Sequence, residues 1–462
     1  MSNKRSPWAW IPTLYFLEGL PYVAVVLISV IMYKRMGISN AEISFFTSLI
    51  YLPWVIKPVW SPFVDILKTK RWWTLTMQLF VAIGLALIAL FLPVKFFLPA
   101  TLLVFAFMAF ASATHDIAAD GFYMLALNQH DQSMFVGIRS TFYRAAMIAG
   151  QGPLVILAGL LETNSDGMMK FWASMPWASW VNTSNGIAAE QGAGGGEVAA
   201  AWSTTFLILA ALFAIGVIYH HWALPRPDVD KIKGQELKTS KDVIREFVTT
   251  FVTFFKKKHI VSAVLFLLFF RFPEAQLVKL INPFLLDPLN KGGLALTTEE
   301  IGLVYGIVGV AGLTLGGIIG GFCAAKGGLK KWLWPMSWAI SLTCVTFVFL
   351  SFTQTQNLFL INLCVFIEQF GYGFGFTAYM LYMIYFAEGE HKTAHYAICT
   401  GFMALGMTIP GMFAGWLQEQ IGYKMFFIWV MICCATTIAV SAFVKIDEKT
   451  GEETAPGLDN KN

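Results

Sequence analysis

The chain has 462 residues, of which 57% are hydrophobic and 13% charged, and its formal net charge is +4. Ordinary globular domains are about 45–50% apolar and about 25% charged. These proportions, with 41 Phe and 16 Trp, exclude a soluble enzyme, a disordered chain and a disulfide-stapled secreted domain.

Long unbroken apolar runs also exclude a transmembrane barrel, whose strands would alternate. The class that remains is an all-α polytopic membrane protein. Crossing a bilayer takes about 20 apolar residues, and scanning for such runs predicts twelve transmembrane helices. The first six cover 8–33, 41–63, 72–93, 98–127, 134–161 and 201–223. The second six cover 257–285, 298–325, 332–353, 357–387, 394–417 and 423–445. The run 8–33 is long enough to span and has no small-residue cleavage site, so it reads as a span and not as a cleaved leader.

The domain organisation predicted from these runs is an N-terminal six-helix bundle over 1–223, a linker over 224–256, a C-terminal bundle over 257–446 and a tail over 447–462. The linker carries Arg226, Lys231, Lys233, Lys238, Lys241, Arg245 and Lys256. Basic residues favour the cytoplasmic side of inner-membrane proteins. With both termini cytoplasmic, the outer loops hold only Lys34, Arg35, Lys95, Lys170, Lys291 and Lys424, which fixes the expected orientation. The outer loop 162–200, with Trp172, Trp177 and Trp180 followed by Gly192–Gly196, is expected as an aromatic helix at the membrane interface. The six cysteines lie inside apolar runs without ligand spacing and are expected as small packing residues.

At a spacing of 256 positions the halves share residues: Phe16 and Glu18 with Phe272 and Glu274, Tyr123-Met124-Leu125 with Tyr379-Met380-Leu381, and Met147 and Gly150 with Met403 and Gly406. Short basic loops follow the second and eighth spans. This layout resembles the major facilitator arrangement of two pseudo-symmetric six-helix halves about a central cavity.

A charge at mid-bilayer costs at least about 2.5–3.5 kcal/mol, so each one is a functional candidate. The acids are Glu18, Asp116, Asp120, Glu274 and Glu368; the bases are Lys57, Arg139, Arg144, Arg271 and Lys279, with His115 in addition. Around the hairpin between the fourth and fifth spans, Asp116 lies 11 residues before Leu127 and Arg144 lies 10 after Met134. This predicts an Asp116–Arg144 pair near the membrane middle and an Asp120–Arg139 pair nearer the cytoplasm, the latter a gate or structural pair together with Asp65. Glu18, beside Gly19 and Pro21, reads as an isolated carboxylate. Desolvation disfavours its charged form, which makes it a candidate proton carrier with Asp116, Asp120 and Glu274. Arg271 lies three residues from Glu274 and is expected to neutralise it. Glu368, Gln369, Tyr372 and Tyr379 fall near one stripe. It reads either as an aromatic seam or as a wall that binds a polar, ring-containing solute. Lys57 either snorkels or binds a solute anion. The runs Gly312–Gly321 and Gly371–Gly375 are expected as close helix contacts. No nucleotide loop, metal motif or catalytic triad is present, so no cofactor, metal or catalytic residue is expected, and transport energy must come from a gradient.

Several motifs taken together carry a family resemblance: Gly19-Leu20-Pro21, the run Lys57-Pro58-Val59-Trp60-Ser61-Pro62-Phe63-Val64-Asp65, the run Ala113-Thr114-His115-Asp116-Ile117-Ala118-Ala119-Asp120-Gly121, Tyr143-Arg144, Phe366-Ile367-Glu368-Gln369 and Gly411-Met412-Phe413-Ala414-Gly415-Trp416. In order and placement they resemble the AmpG-type muropeptide permeases and the related acetyl-CoA transporters. The resemblance implies proton-driven import of anhydro-muropeptides across a bacterial inner membrane for peptidoglycan recycling. It carries Lys57, Asp116, Asp120, Arg144 and Glu368 onto the family's positions, and Arg271 with Glu274 onto a basic–acidic pair. Glu18 stands where a small residue is expected, His115 replaces a Gln, and 162–200 has no counterpart. The expected partners are protons, lipid and an anionic amino-sugar or sugar-peptide, bound by a monomer without nucleic acid. The alternatives are another anionic solute, such as an acyl-CoA or a sugar acid, and, more remotely, an intramembrane acyltransferase or a receptor. For the acyltransferase, His115 and Asp116 are adjacent on one helix and so face apart.

Overall fold

The computed structural model describes residues 5–66, 68–127, 129–164, 170, 172, 195–227, 240–388 and 392–446. The expected interfacial helix in 162–200 falls largely outside the described residues, as do 228–239 of the linker and the tail; the rest of the linker carries the helix Ser240–Phe255. Among those described there is no strand. The helices in chain order are α1 (Ile11–Val23), α2 (Ser29–Arg35), α3 (Asn40–Ile50), α4 (Leu52–Ile66), α5 (Lys70–Phe91), α6 (Phe97–Ala126), α7 (Gln129–Ala149), α8 (Val155–Thr163), α9 (Gly195–Ala223), α10 (Ser240–Phe255), α11 (Ile260–Phe269), α12 (Phe272–Leu286), α13 (Thr298–Ile301), α14 (Val310–Leu342), α15 (Val345–Thr353), α16 (Leu358–Ala387) and α17 (Lys392–Phe443).

Ten helices among the described residues are long and apolar enough to cross a membrane. That is two fewer than the twelve expected spans. The second is broken between α3 and α4 at Tyr51. The eleventh and twelfth run together as α17, which turns at Gly422, where φ is 74°. That left-handed conformation suits a residue without a Cβ. Wide π turns occur at Ala24–Ile28, Gly150–Leu154 and Gly302–Gly309, the second containing Pro153.

The chain forms two compact units. Unit one is Met1–Val243 with Leu285–Asp287 and Ala295–Ile307; unit two is Ile244–Phe284, Pro288–Leu294 and Val308–Asn462. In unit one, α1 packs on α7, α5 on α6 and α9, and α4 on α6. Its core gathers Trp10, Leu14, Tyr15, Phe122, Tyr123 and Phe135. The two short stretches of unit one from beyond residue 284 are tied in by ionic contacts. Lys34 Nζ lies 2.7 Å from Asp287 Oδ1 and also donates to Asn40. Arg35 pairs with Glu162 at 2.8 Å, and the same carboxylate accepts from Trp202 and Thr298.

In unit two, α14 and α16 form the most extensive helix contact. Here the glycine runs act as expected. A Cβ on Gly316 would lie 2.1 Å from the Phe370 carbonyl oxygen, and one on Gly373 would lie 2.1 Å from that of Leu313. The backbones touch, as small residues permit in membranes. Two further glycines of the described residues sit at close helix contacts. Gly150 on the fifth span lies against Val23 of the first, and Gly406 on the eleventh lies against Leu268 of the seventh. Outside these contacts, Phe107, Ile215, Trp222, Val261, Phe359 and Phe443 are exposed, as lipid-facing side chains would be.

Gly373→Ala is expected to cost about 1–3 kcal/mol by overpacking and to lower the detergent melting temperature by several degrees. Gly321→Ala, on the same α14 but with nothing within 4 Å of its new Cβ, is expected to leave it unchanged.

Candidate functional site

Each unit carries its own polar cluster inside apolar helices. In unit one, α1 supplies Glu18. Gly19 lets α1 approach α7 closely: a Cβ there would lie 2.9 Å from Ala146 Cβ and 3.1 Å from the Tyr143 carbonyl oxygen. Helix α6 supplies Asp116 and Asp120, one turn apart on one face, and α4 supplies Lys57. The Lys57 ammonium donates to Asp116 Oδ2. Three residues on along α4 and two back along α6, Trp60 Nε1 donates to Thr114 Oγ1 at 3.2 Å and fixes the same α4–α6 contact. Glu18 is buried; its carboxyl faces Asp116, and its Oε2 has no hydrogen-bond partner among the described residues. Arg139 on α7 pairs with Asp120 at 2.7 Å. The Tyr15 hydroxyl donates to the same Asp120 oxygen at 3.1 Å. The Arg139 guanidinium lies over the Tyr15 ring at 4.5 Å and the Tyr123 ring at 5.1 Å.

Two expectations need correcting. Asp116 pairs with Lys57, and Arg144, level with it on α7, is exposed. Depth along a hairpin gives height in the membrane but not the direction in which a side chain points. Glu18 is not isolated, because it shares its pocket with Asp116. The Asp65 side chain lies outside the described residues.

In unit two the cluster is built on a broken helix. Pro273 has no N–H to offer the carbonyl one turn back, and α11 ends at Phe269 before α12 resumes at Phe272. The carbonyls at the break are satisfied by neighbouring helices. Tyr379 on α16 donates to the Leu267 oxygen at 2.5 Å, and Thr437 on α17 donates to that of Phe270 at 2.8 Å. Membrane interiors demand this compensation. Arg271, in the break, donates through Nε to Glu274 at 3.0 Å and through Nη2 to the Tyr372 hydroxyl at 2.6 Å. Its guanidinium sits 4.7 Å from the Phe376 ring centroid. Glu368, fully enclosed on α16, accepts from the Gln369 amide at 2.8 Å.

Tyr379 therefore does not belong on the solute-binding stripe. It is fully buried, stacked against Phe270 and Phe266, and its hydroxyl is committed to the backbone. The bland reading of that stripe, an aromatic seam, holds for Tyr379, while Tyr372 belongs to the Arg271 group. Tyr15 was not among the sequence candidates. It lies on α1 three residues from Glu18, and that adjacency was the available signal.

In unit one, three carboxyl groups (Glu18, Asp116, Asp120) meet two cations (Lys57, Arg139). With all five ionised, one negative charge is left over, and one proton removes it. The cluster can therefore hold an exchangeable proton. If that proton resides on Asp116, the Lys57 ammonium is released.

Comparison with known proteins agrees with this architecture. Residues 13–396 match the model of the Major Facilitator Superfamily. A Rickettsia felis protein named transporter AmpG 4 is 23% identical over 93% of this chain and 94% of its own. A Haemophilus influenzae protein of uncharacterised role is 22% identical over 82% of this chain and 80% of its own. Among solved structures, the nucleoside transporter NupG superposes with a TM-score of 0.66 at 16% identity, covering 94% of this chain and 99% of that one. The D-xylose–proton symporter superposes with a TM-score of 0.62 at 12% identity, covering 96% and 98%. These likenesses share the fold.

The Lys57–Asp116 pair is half-buried, with side-chain exposures of 35% and 24%, so losing one partner costs less than the about 3–5 kcal/mol of a fully buried pair, whereas removing both can be neutral. Lys57→Met is therefore expected to lower the melting temperature, and Lys57→Met with Asp116→Asn to restore most of it, measured by thermal unfolding in detergent. Tyr379→Phe, which strands the Leu267 carbonyl, is expected to cost about 1–2 kcal/mol of stability and to leave solute affinity unchanged in a binding assay.

Proposed function

The chain belongs to the Major Facilitator Superfamily and is a secondary transporter, and from that premise we propose that it is a proton-coupled importer of anhydro-muropeptides, N-acetylglucosaminyl-anhydro-N-acetylmuramic acid with or without its stem peptide, in a bacterial inner membrane. The observation that carries this reading is the surplus carboxyl in unit one. A proton on Glu18 cancels the surplus charge, and a second on Asp116 neutralises the partner of Lys57. The freed ammonium then has a vacant charge to offer an anionic solute. Proton and anion binding thus favour each other, and by linkage the favour is reciprocal. This is the energetic requirement for symport, and no nucleotide chemistry is needed.

The solute class follows from the remaining groups. A lactyl or peptide carboxylate calls for a fixed cation, and sugar hydroxyls and acetamides call for amide, phenol and indole partners. Arg271, Tyr372, Gln369 and Glu368 are groups of that kind in unit two. The order of motifs along the chain resembles that of AmpG-type permeases, and the name of the full-length Rickettsia felis relative supports the same assignment. The D-xylose–proton symporter supports a sugar-like solute and a proton. Another anion, such as an acyl-CoA or a sugar acid, would exploit the same released lysine. Stabilisation by muropeptide fragments and not by acyl-CoA in a thermal-shift screen separates the two.

In proteoliposomes, an inward proton gradient is expected to drive accumulation of labelled disaccharide. Glu18→Gln and Asp116→Asn are each expected to reduce gradient-driven accumulation at least about tenfold while retaining exchange down a solute gradient. Accumulation that ignores the proton gradient, or that survives both substitutions, overturns the proposal.

A further inference from the structure

Directly behind the unit-one carboxylates runs a second polar system that the proposed cycle does not use. His115 on α6, Gln78 on α5 and His220 on α9 are all buried, with exposures of 3%, 1% and 0%. The Gln78 amide bridges the two imidazoles. Its Nε2 lies 3.0 Å from His115 Nε2, and its Oε1 lies 2.9 Å from His220 Nδ1. His220 Nε2 in turn lies 2.9 Å from the Thr13 hydroxyl on α1, which also reaches the Trp10 carbonyl at 3.2 Å. Four helices are joined by one line of hydrogen bonds.

An amide presents one donor side and one acceptor side, so this line has only two consistent directions. In one, Thr13 donates to His220 Nε2, His220 Nδ1–H to the Gln78 oxygen, and the Gln78 N–H to His115 Nε2. In the other, His115 Nε2–H donates to the Gln78 oxygen, the Gln78 N–H to His220 Nδ1, His220 Nε2–H to Thr13, and Thr13 to the Trp10 carbonyl. When both rings are neutral, the first direction makes both Nδ1–H tautomers and the second makes both Nε2–H. Any mixture leaves two donors or two lone pairs facing each other in a dry interior, which is costly. The amide oxygen can accept from only one ring, so the two rings are never charged together. The other charged and titratable groups on these four helices are Tyr15, Glu18 and Tyr22 on α1, Lys70 and Arg71 on α5, Asp116, Asp120 and Tyr123 on α6, and Glu197, Tyr219 and His221 on α9.

We propose that Gln78 and His220 are positioning residues that tie His115 into one shared donor direction with His220 and thereby hold the α6 turn that aims Asp116 at Lys57. Residue 116 follows residue 115 on the helix. A His115 ring pinned toward α5 and α9 fixes the rotation of α6, and that rotation places the next side chain toward α4. This inference rests on reading Asp116 as the proton-coupled carboxyl, but its test needs no solute.

The test is nitrogen-15 NMR of the full chain in lipid nanodiscs with labelled histidine, the two rings being assigned by His115→Gln and His220→Gln. Wild-type protein is expected to show matched tautomers for His115 and His220 and never two imidazolium rings between about pH 5.5 and 8. In Gln78→Glu, one carboxylate accepts from both rings, so mismatched tautomers are expected: His115 as Nε2–H and His220 as Nδ1–H. Gln78→Leu is expected to abolish the match and to lower gradient-driven uptake about tenfold at unchanged solute affinity. Should Gln78→Leu fail to fold, the isosteric Gln78→Glu carries the test alone. Mismatched or doubly charged rings in the wild type, or matched tautomers in Gln78→Glu, overturn the proposal. Absence of muropeptide uptake by the wild type, with the tautomer pattern intact, tells against the transport assignment alone.

Discussion

The constraint on which the rest depends is that ionised side chains within apolar helices must find their counter-charges inside their own unit. Ion pairs buried this way are poor stabilisers compared with apolar packing of the same volume, so their presence points to work other than holding the fold. The local irregularities serve them. Gly19 brings α1 against α7, which sets Glu18 in the pocket that holds Asp116. The break before Pro273 frees the backbone turn that presents Arg271 to Glu274 and Tyr372. The carbonyls exposed at that break are recovered by Tyr379 and Thr437. Irregular backbone is tolerated where a neighbouring side chain pays its hydrogen-bonding debt.

Much of this was legible in the sequence because it depends on one helix at a time. Apolar run length gave the spans, and glycine runs gave the α14–α16 contact. The three-residue spacing gave the Arg271–Glu274 pair. Counting depth along a hairpin gave Asp120 and Arg139, which pair at 2.7 Å. The same count failed for Asp116 and Arg144, because equal height does not mean facing directions, and a third helix, α4, delivered Lys57 instead. Tyr379 was misread for a related reason. A stripe of tyrosines shows which residues share a face but not what the face meets, and here it meets a broken backbone. Gln78 and His220 left the faintest trace, since a neutral amide or imidazole in an apolar run carries no charge that demands a partner. Their meaning emerges only when three helices place them end to end.

The internal repeat shows how two halves that share a plan have diverged in chemistry. Glu18 and Glu274 occupy matching positions, and both are buried. Glu274 is neutralised by Arg271, its neighbour one turn back, whereas Glu18 faces another acid, Asp116. The corresponding tyrosines differ as well: Tyr123 lies beside a guanidinium, and Tyr379 caps a carbonyl. The inherited framework preserved burial at these positions, and the partner supplied by a neighbouring residue decided whether the position is electrically settled or holds a surplus.

The three cations of the two clusters are unequal in a way that fits this division. Arg139 and Arg271 each present a planar guanidinium to a carboxylate and rest it on aromatic faces, Tyr15 and Tyr123 for one, Tyr372 and Phe376 for the other. A guanidinium stacked on two rings has these contacts to break, besides its ion pair, before it can move. Lys57 makes a point contact with Asp116 through a single ammonium on a flexible stem. Protonating its carboxylate removes most of what holds it. Of the three, lysine is the one whose release costs least, and in the proposed cycle it stands opposite the acid cluster that has a charge to spare.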